Sequence, residues 1–441
     1  MMEKFLNIFK IPDLRKKLIF TGLLLLVYRL GGKVPIPGID KTALASMMQG
    51  YANSLLGLYD MFAGGFFSQA SIFALGIMPY ISASIIIQLL GAVIPYFQRL
   101  QKEGEEGRKK IIQITRYGTV MIASLQAIGM SVFLTSQTTS VGPVVPNPNF
   151  VFYFVTILTM VTGVIFVMWL GEQISDHGIG NGISLIIMVG IVSRVPNVIV
   201  SEIALISEGV RGILSELILI GIMFVVIAFV VLLTQGTRKI PVSYAKRVVG
   251  RKVYGGQSTH IPLKVNTAGV MPIIFAQSIM FIPSTIATFF SDNDFMQGVI
   301  RWFSFDHPFY WLIFGIMIVF FTYFYTAIAF DPTQVSQQMK QHGGFIPGIR
   351  PGKKTAEYID NILSRVTLPG SFALALVAIF PYILMQGMDV SYDLASFFGG
   401  TSLLIIVGVA LDTLQQIESH LMSRHYDGFL NKGKIRGRRR M

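Results

Sequence analysis

Ten apolar stretches, most of them near the twenty residues a helix needs to cross a bilayer, follow one another along this 441-residue chain. They run over about Lys17–Leu30, Ala70–Tyr96, Thr115–Ser136, Phe150–Leu170, Ile179–Val192, Leu214–Leu233, Ala268–Phe290, Phe309–Phe330, Leu368–Met385 and Thr401–His420. The first and the fifth have the least settled lengths. In lipid no water is at hand for backbone N–H and C=O groups, so such segments must bond internally as helices. The chain is therefore expected to be an all-α integral membrane protein with ten transmembrane helices. Its charge agrees: 13% of residues are charged, about half of what a soluble domain carries.

Cationic residues set the orientation. Lys and Arg number 5 in the N-terminal tail, 6 between spans two and three (Arg116 included), 7 between six and seven, 5 between eight and nine, and 7 after span ten. The loops on the other side hold only Lys33, Lys41, Arg194, Arg211 and Arg301, and Arg29 lies near the end of span one. Both termini are thus expected in the cytoplasm. Residues Met1 to Lys17 mix charges and lack a small-residue cleavage site after the first apolar run. They read as a cytoplasmic leader into span one, not as a removable signal peptide.

Ten spans divide into two sets of five, and an odd number per half makes any internal repeat an inverted one. The halves are expected at residues 1–200 and 201–441. The second span of each half carries matching interruptions: Gly76 and Pro79 in span two, and Gly269, Pro272 and Pro283 in span seven. Such pairs point to moving or substrate-facing helices, although Gly and Pro are frequent in membrane helices generally.

Little catalytic chemistry is on offer. There are no cysteines, hence no disulfide framework and no thiolate nucleophile or ligand. A phosphate-cradling Gly-rich loop with Lys, a His-Glu-x-x-His motif and a Gly-x-Ser-x-Gly elbow are all missing. No cofactor and no metal are expected. Arg29 and Asp412 are the clearest ionisable residues within spans. Ion-coupled transporters need such groups at mid-membrane, so their scarcity favours a passive conduit driven from outside. Asp412 reads as a helix-packing residue.

Five segments go further: FALGIMPYISASIIIQLL at Phe73–Leu90, MWLGEQISDHGIGNGIS at Met168–Ser184, QSTHIPLKVNTAGV at Gln257–Val270, FIPGIRPG at Phe345–Gly352 and GGTSLL at Gly399–Leu404. In order and spacing they resemble the signatures of the SecY family, from about Phe5 to Tyr426. The likeness is weak in the external loops and in the Arg-rich tail after Asn431. It implies two inverted five-helix halves arranged as a clamshell, a central pore between them, and a lateral gate facing lipid.

The resemblance assigns a pore ring to Ile77 and Ile81 in span two, Ile183 and Ile187 in span five, Ile274 in span seven and Ile405 in span ten. Each of the first two pairs is four residues apart and so shares a helix face. An apolar constriction stops ions by dewetting yet reads no peptide sequence. Isoleucine is also simply common in membrane helices. The stretch Asn53–Ser68 is too short to span and apolar enough to bury. The resemblance makes it a plug, with Tyr59, Met61, Phe62, Phe66 and Phe67 as its body and Gly64 and Gly65 as its hinge; an interfacial helix is the other reading.

For the lateral gate, where signal peptides dock, the candidates are Ser82, Ser84, Gln88, Gln126 and Gln277. Hydrogen bonds between helices in lipid contribute roughly 0.6–2 kcal/mol each, and they serve static packing equally well. Gly178, Gly180 and Gly182 read as architectural, with Asn181 as a helix cap. The loop at about 234–264 has no acidic residue, and its alternation predicts a ragged hairpin with Gly250 at the tip. Arg247, Arg251 and Lys252 there, with Arg350 and Lys353 in the loop at about 331–367, are candidate sites for acidic surfaces or phosphate backbones. The positive-inside rule alone would also put cations there.

The resemblance implies a protein-conducting channel in the bacterial plasma membrane. Its partners would be SecE-like and SecG-like small membrane subunits, the motor ATPase SecA, the ribosome, signal peptides, unfolded preproteins and the lipid bilayer. The competing readings are a secondary transporter of a small solute, which inverted halves also permit, and an intramembrane enzyme, which the missing motifs disfavour.

Overall fold

A computed structural model of the protein describes residues 11–50, 55–139, 141–209, 212–244, 247–249, 252–254, 258–289, 295, 298, 301–303, 307–388, 394–395, 397 and 400–432. In chain order the first helices are α1 (Pro12–Gly31), α2 (Lys41–Gly50), α3 (Leu55–Phe62), α4 (Met78–Val93), α5 (Pro95–Lys102), α6 (Glu105–Ser136), α7 (Phe150–His177) and α8 (Gly182–Val192). They are followed by α9 (Val195–Ser207), α10 (Ile213–Gln235), α11 (Met271–Phe289), α12 (Pro308–Ala329), α13 (Pro332–Gln341), α14 (Lys353–Met388) and α15 (Gly400–Lys432). Each of the ten predicted spans falls on a helix.

Among the described residues, seven helical segments are long and apolar enough to cross a membrane: α6, α7, α8 with α9, α10, α12 with α13, α14 and α15. The bent pair α4 and α5 makes an eighth if taken as one span. Helix α1 is less apolar because Asp13, Arg15, Lys16 and Lys17 occupy its first turns. In α11 the apolar described stretch is Met271–Phe281, and Pro283 follows inside the helix.

Several boundaries differ from the hydropathy reading, and spans two and nine show why. Span two, expected over Ala70–Tyr96, is helical only from Met78 to Val93. Gly76 has φ +57°, a left-handed turn that keeps the helix from starting earlier, and Pro79 sits in the first turn. At the other end Ile94 is extended, with φ −92° and ψ 123°. That is the conformation a following proline imposes, and α5 leaves Pro95 at 98° to α4. Span nine, expected from Leu368, belongs to a helix that begins at Lys353. Hydropathy sees only the lipid part of a helix; the polar turns continue in water.

The described chain groups into two compact units. One comprises Met1–Tyr51, Gly57–Arg194 and Val409–Met441, and the other Ala52–Leu56 and Val195–Gly408. In the first, Asn181 caps α8 as expected, its side-chain oxygen accepting from the N–H groups of Ile183 at 3.1 Å and Ser184 at 3.2 Å. The aromatic side chains of Tyr28, Phe66 and Phe73 are buried together there.

In the second unit, strands β1 (Thr237–Tyr244) and β2 (Ser258–Lys264) pair antiparallel from Thr237↔Lys264 to Ser243↔Ser258. A short strand at Gly344–Phe345 adds to the edge, pairing Ser243 with Phe345 and Tyr244 with Gly344. Ile240 and Val242 on β1 bury with Leu263, Met339, Ile346 and Ile359, so the sheet rests on α13 and α14. The alternate residues Lys239 and Pro241 are exposed, as a half-buried strand requires. Beyond β1, residues Arg247–Val249 and Lys252–Tyr254 pair antiparallel, with Val249 opposite Lys252, where one ragged hairpin was expected over the whole loop. Its tip, Gly250 and Arg251, lies outside the described residues.

Candidate functional site

The first unit surrounds one segment that neither spans nor lies on the surface. After α3 the chain turns through residues 63–77 before α4 starts. Met61, Phe62, Ala63, Phe66 and Phe67 are each at most 3% exposed. Left-handed glycines shape the turn: Gly64 at φ +79° and Gly65 at φ +76°. Tyr59 donates its hydroxyl to the carbonyl of Leu75 at 3.1 Å, and its ring meets Phe67 edge-on. Phe66 packs edge-on against both Tyr28 of α1 and Phe73.

Polar groups hold the same segment. Asp60 is 2% exposed. One carboxylate oxygen accepts the Ser68 N–H at 3.0 Å, and the other is ion-paired with Arg194, just beyond the end of α8. Arg29, on the last turn of α1, donates to the Gly64 carbonyl at 3.1 Å and lies 5.0 Å above the Phe66 ring. On the far side of the turn, Lys33 donates to Gln69 at 3.1 Å. The segment predicted as a plug is thus held by Arg29 of α1 and by Arg194, which follows α8. Its first residues, 53 and 54, lie outside the described residues.

Of the six predicted ring residues, Ile77, Ile81, Ile183 and Ile187 belong to the first unit, and Ile274 and Ile405 to the second. Ile77 sits at the cap position of α4, and its carbonyl accepts the Ile81 N–H at 3.2 Å. Ile77, Ile81, Ile187, Ile274 and Ile405 are buried, whereas Ile183 is half-buried and packs on Gly171 of α7.

Among the predicted gate residues, Gln88 donates to Ser84 at 3.2 Å along α4, and Ser82 is buried on the same helix. On α6, the Gln126 side-chain oxygen is buried with no hydrogen-bond partner among the described residues. In the second unit the Gln277 amide donates to the Tyr310 hydroxyl at 3.4 Å, joining α11 to α12. The Gln277 side-chain oxygen is buried and has no hydrogen-bond partner among the described residues.

Arg350 and Lys353 are exposed on the turn between the sheet edge and α14. The Arg350 carbonyl accepts the Thr355 hydroxyl at 2.9 Å, which fixes that turn. Arg247 and Lys252 lie on the paired strands Arg247–Val249 and Lys252–Tyr254, and Arg251 lies outside the described residues. At the start of α13, Asp331 caps the helix, accepting from Thr333 N–H at 2.8 Å and Gln334 N–H at 3.3 Å. The Thr333 hydroxyl and these amides hold its carboxyl below the ordinary carboxylate range.

Sequence reading missed Asp60 and Arg194 as parts of this site. The available signal was Asp60, a lone carboxylate in the otherwise apolar run LLGLYDMFAGGFF. A buried charge in such a place needs a partner.

The geometry agrees with the comparisons. A family model described as SecY matches residues 71–414. The chain is 44% identical over 428 residues to the protein translocase subunit SecY of Escherichia coli (strain K12), covering 96% of each chain. It is 42% identical over 445 residues to that of Thermotoga maritima, covering 100% of each. Among solved structures, "The structure of a protein conducting channel" matches with TM-score 0.63 and 18% identity over 92% of both chains. "Sec61 in the Canine ribosome-channel complex from the endoplasmic reticulum" matches with TM-score 0.58 and 16% identity, again over 92% of both. At those identities the structures speak for the fold. Sequence identity sustained from end to end, on a chain whose helices follow the same architecture, means that this protein belongs to the SecY family of protein translocase subunits.

Proposed function

We infer that this multi-pass membrane protein is the protein-conducting channel of a Sec translocase, passing unfolded preproteins across the membrane and releasing hydrophobic segments sideways into lipid. The observation that carries the reading is the near-full-length identity to protein translocase subunits. The segment buried between α3 and α4 suits it, because a conduit wide enough for a polypeptide must be sealed when idle.

In this reading Ile77, Ile81, Ile183, Ile187, Ile274 and Ile405 form the constriction, whose apolar side chains exclude ions by dewetting and yield to any peptide. The segment from Tyr59 to Phe67 is the plug, hinged at Gly64 and Gly65. Ser82, Ser84, Gln88, Gln126 and Gln277 line the lateral gate. The unsatisfied oxygens of Gln126 and Gln277 support that role, since a buried acceptor without a partner gains from any donor brought to it. Residues 1–200 and 201–441 are the inverted halves.

The channel itself is passive. SecA, the ribosome and the proton-motive force drive it, and SecE-like and SecG-like subunits complete it. Support for a cytoplasmic docking face is structural: both cationic loops are joined through β1 and residues Gly344–Phe345, with Arg350 and Lys353 exposed beside them. The ribosome-bound Sec61 relative agrees with such a face. The proposed setting is the bacterial plasma membrane, and the distribution of Lys and Arg supports cytoplasmic termini.

The test is to co-purify the chain with its small helical partner and the ATPase, reconstitute vesicles, and follow ATP-dependent protection of a preprotein from protease. Protection that depends on this chain is expected. Vesicles that import a small solute but never a preprotein would overturn the reading.

A further inference from the structure

We propose that Asp60 and Arg194 are positioning residues that latch the plug segment to the helix carrying Ile183 and Ile187, so that their ion pair sets how often the channel opens at rest; this rests on the plug and ring assignments above. The two residues are 134 positions apart in sequence. Arg194 lies two residues beyond α8, and α8 bears Ile183 and Ile187. Its guanidinium also runs beside Gly65, with Nε 3.8 Å from where a Gly65 Cβ would lie. One pair therefore joins the body of the segment, at its glycine hinge, to a helix of the proposed constriction.

Asp60 is nearly fully buried, and the Arg194 side chain is 25% exposed. A charge in such a place is unfavourable without its partner or water. The segment cannot lift away until both groups are rehydrated, which happens only once water enters behind it. The latch is thus closed in a dry pore and released in a wet one. Arg29 adds a second grip, on the Gly64 carbonyl and the Phe66 ring, but it involves no charge partner on the segment. Among the described residues, the ion-pair partner of Asp60 is Arg194.

A ligand that opens the channel must supply the free energy separating the two states. Weakening the latch lowers that requirement, so weaker opening signals suffice.

The experiment uses the full chain with its small partners in vesicles, and reads resting ion leak alongside preprotein uptake. Asp60→Asn and Arg194→Gln are each expected to raise the resting leak about tenfold or more while uptake is retained. The charge swap, Asp60→Arg with Arg194→Asp, is expected to bring the leak back to within about twofold of the parent, which mere loss of packing would not do. Single variants as tight as the parent overturn the latch. If the single variants fail to insert, the swap decides alone: a tight seal supports the latch and a leak overturns it. Deleting 57–65 separates the two readings. A leak on deletion with none in the single variants sinks the latch only, and a tight seal on deletion sinks the plug.

Discussion

Gly64 and Gly190 meet backbone to backbone. A Cβ on Gly64 would lie 3.2 Å from the Gly190 Cα, and one on Gly190 would lie 3.1 Å from the Gly64 Cα. Small residues allow such approach within a membrane. The contact seats the turn of the buried segment directly on α8.

Filling that contact should lift the segment. Gly190→Leu is expected to destabilise the first unit by about 1–3 kcal/mol, the usual range for overpacking, and to raise ion leak; Gly190→Ala should do so less. Thermal unfolding in detergent and ion flux across vesicles measure the two effects. A Leu variant that is both as stable and as tight as the parent would remove the seat from the argument.

The proposed constriction is tested by emptying it. Replacing Ile81 and Ile187 with Gly in one chain is expected to leak ions across reconstituted vesicles, because the dewetted gap widens. Unchanged conductance would count against the ring.

On the cytoplasmic side, Arg350→Glu is expected to block motor-driven secretion while the protein remains inserted and stable. The side chain is exposed, and the turn is fixed by the backbone carbonyl, which substitution leaves in place. Secretion assays with immunoblots of the inserted protein give both answers. Loss of the protein itself would make Arg350 structural.

Gln88 and Gln277 are proposed to face the lateral gate. A photo-crosslinker at either position should capture a signal peptide during translocation. Repeated failure at both, with crosslinks elsewhere on the chain, would move the gate.

Asp331 gives a pH dependence. Its carboxyl sits below the ordinary range because the Thr333 hydroxyl and the amides of Thr333 and Gln334 favour the charged form. The cap therefore stabilises α13 fully at pH above the ordinary carboxylate value of about 4 and loses its effect as pH falls through the lower folded value. Asp331→Ala should cost about 1 kcal/mol at neutral pH, seen as faster amide exchange in α13. Equal exchange in the two proteins at neutral pH would show that the cap is idle.

Sequence alone determined the membrane-crossing architecture. An apolar run is a local property, and lipid leaves such a run no choice but a helix, so Phe150–Leu170 and Phe309–Phe330 could be marked without knowing their neighbours. The Asn181 cap and the hairpin over Arg247–Tyr254 were legible for the same reason: each depends on residues a few positions apart. Tertiary structure decided what depends on distance in sequence. The partnership of Asp60 with Arg194, the contact of Gly64 with Gly190 and the pairing of Ser243 with Phe345 join residues that no local pattern connects. Nor does hydropathy reveal that the chain from Phe66 to Ile77 turns while the chain from Met78 onward is helical. Both stretches are apolar, and only packing and the left-handed glycines distinguish them.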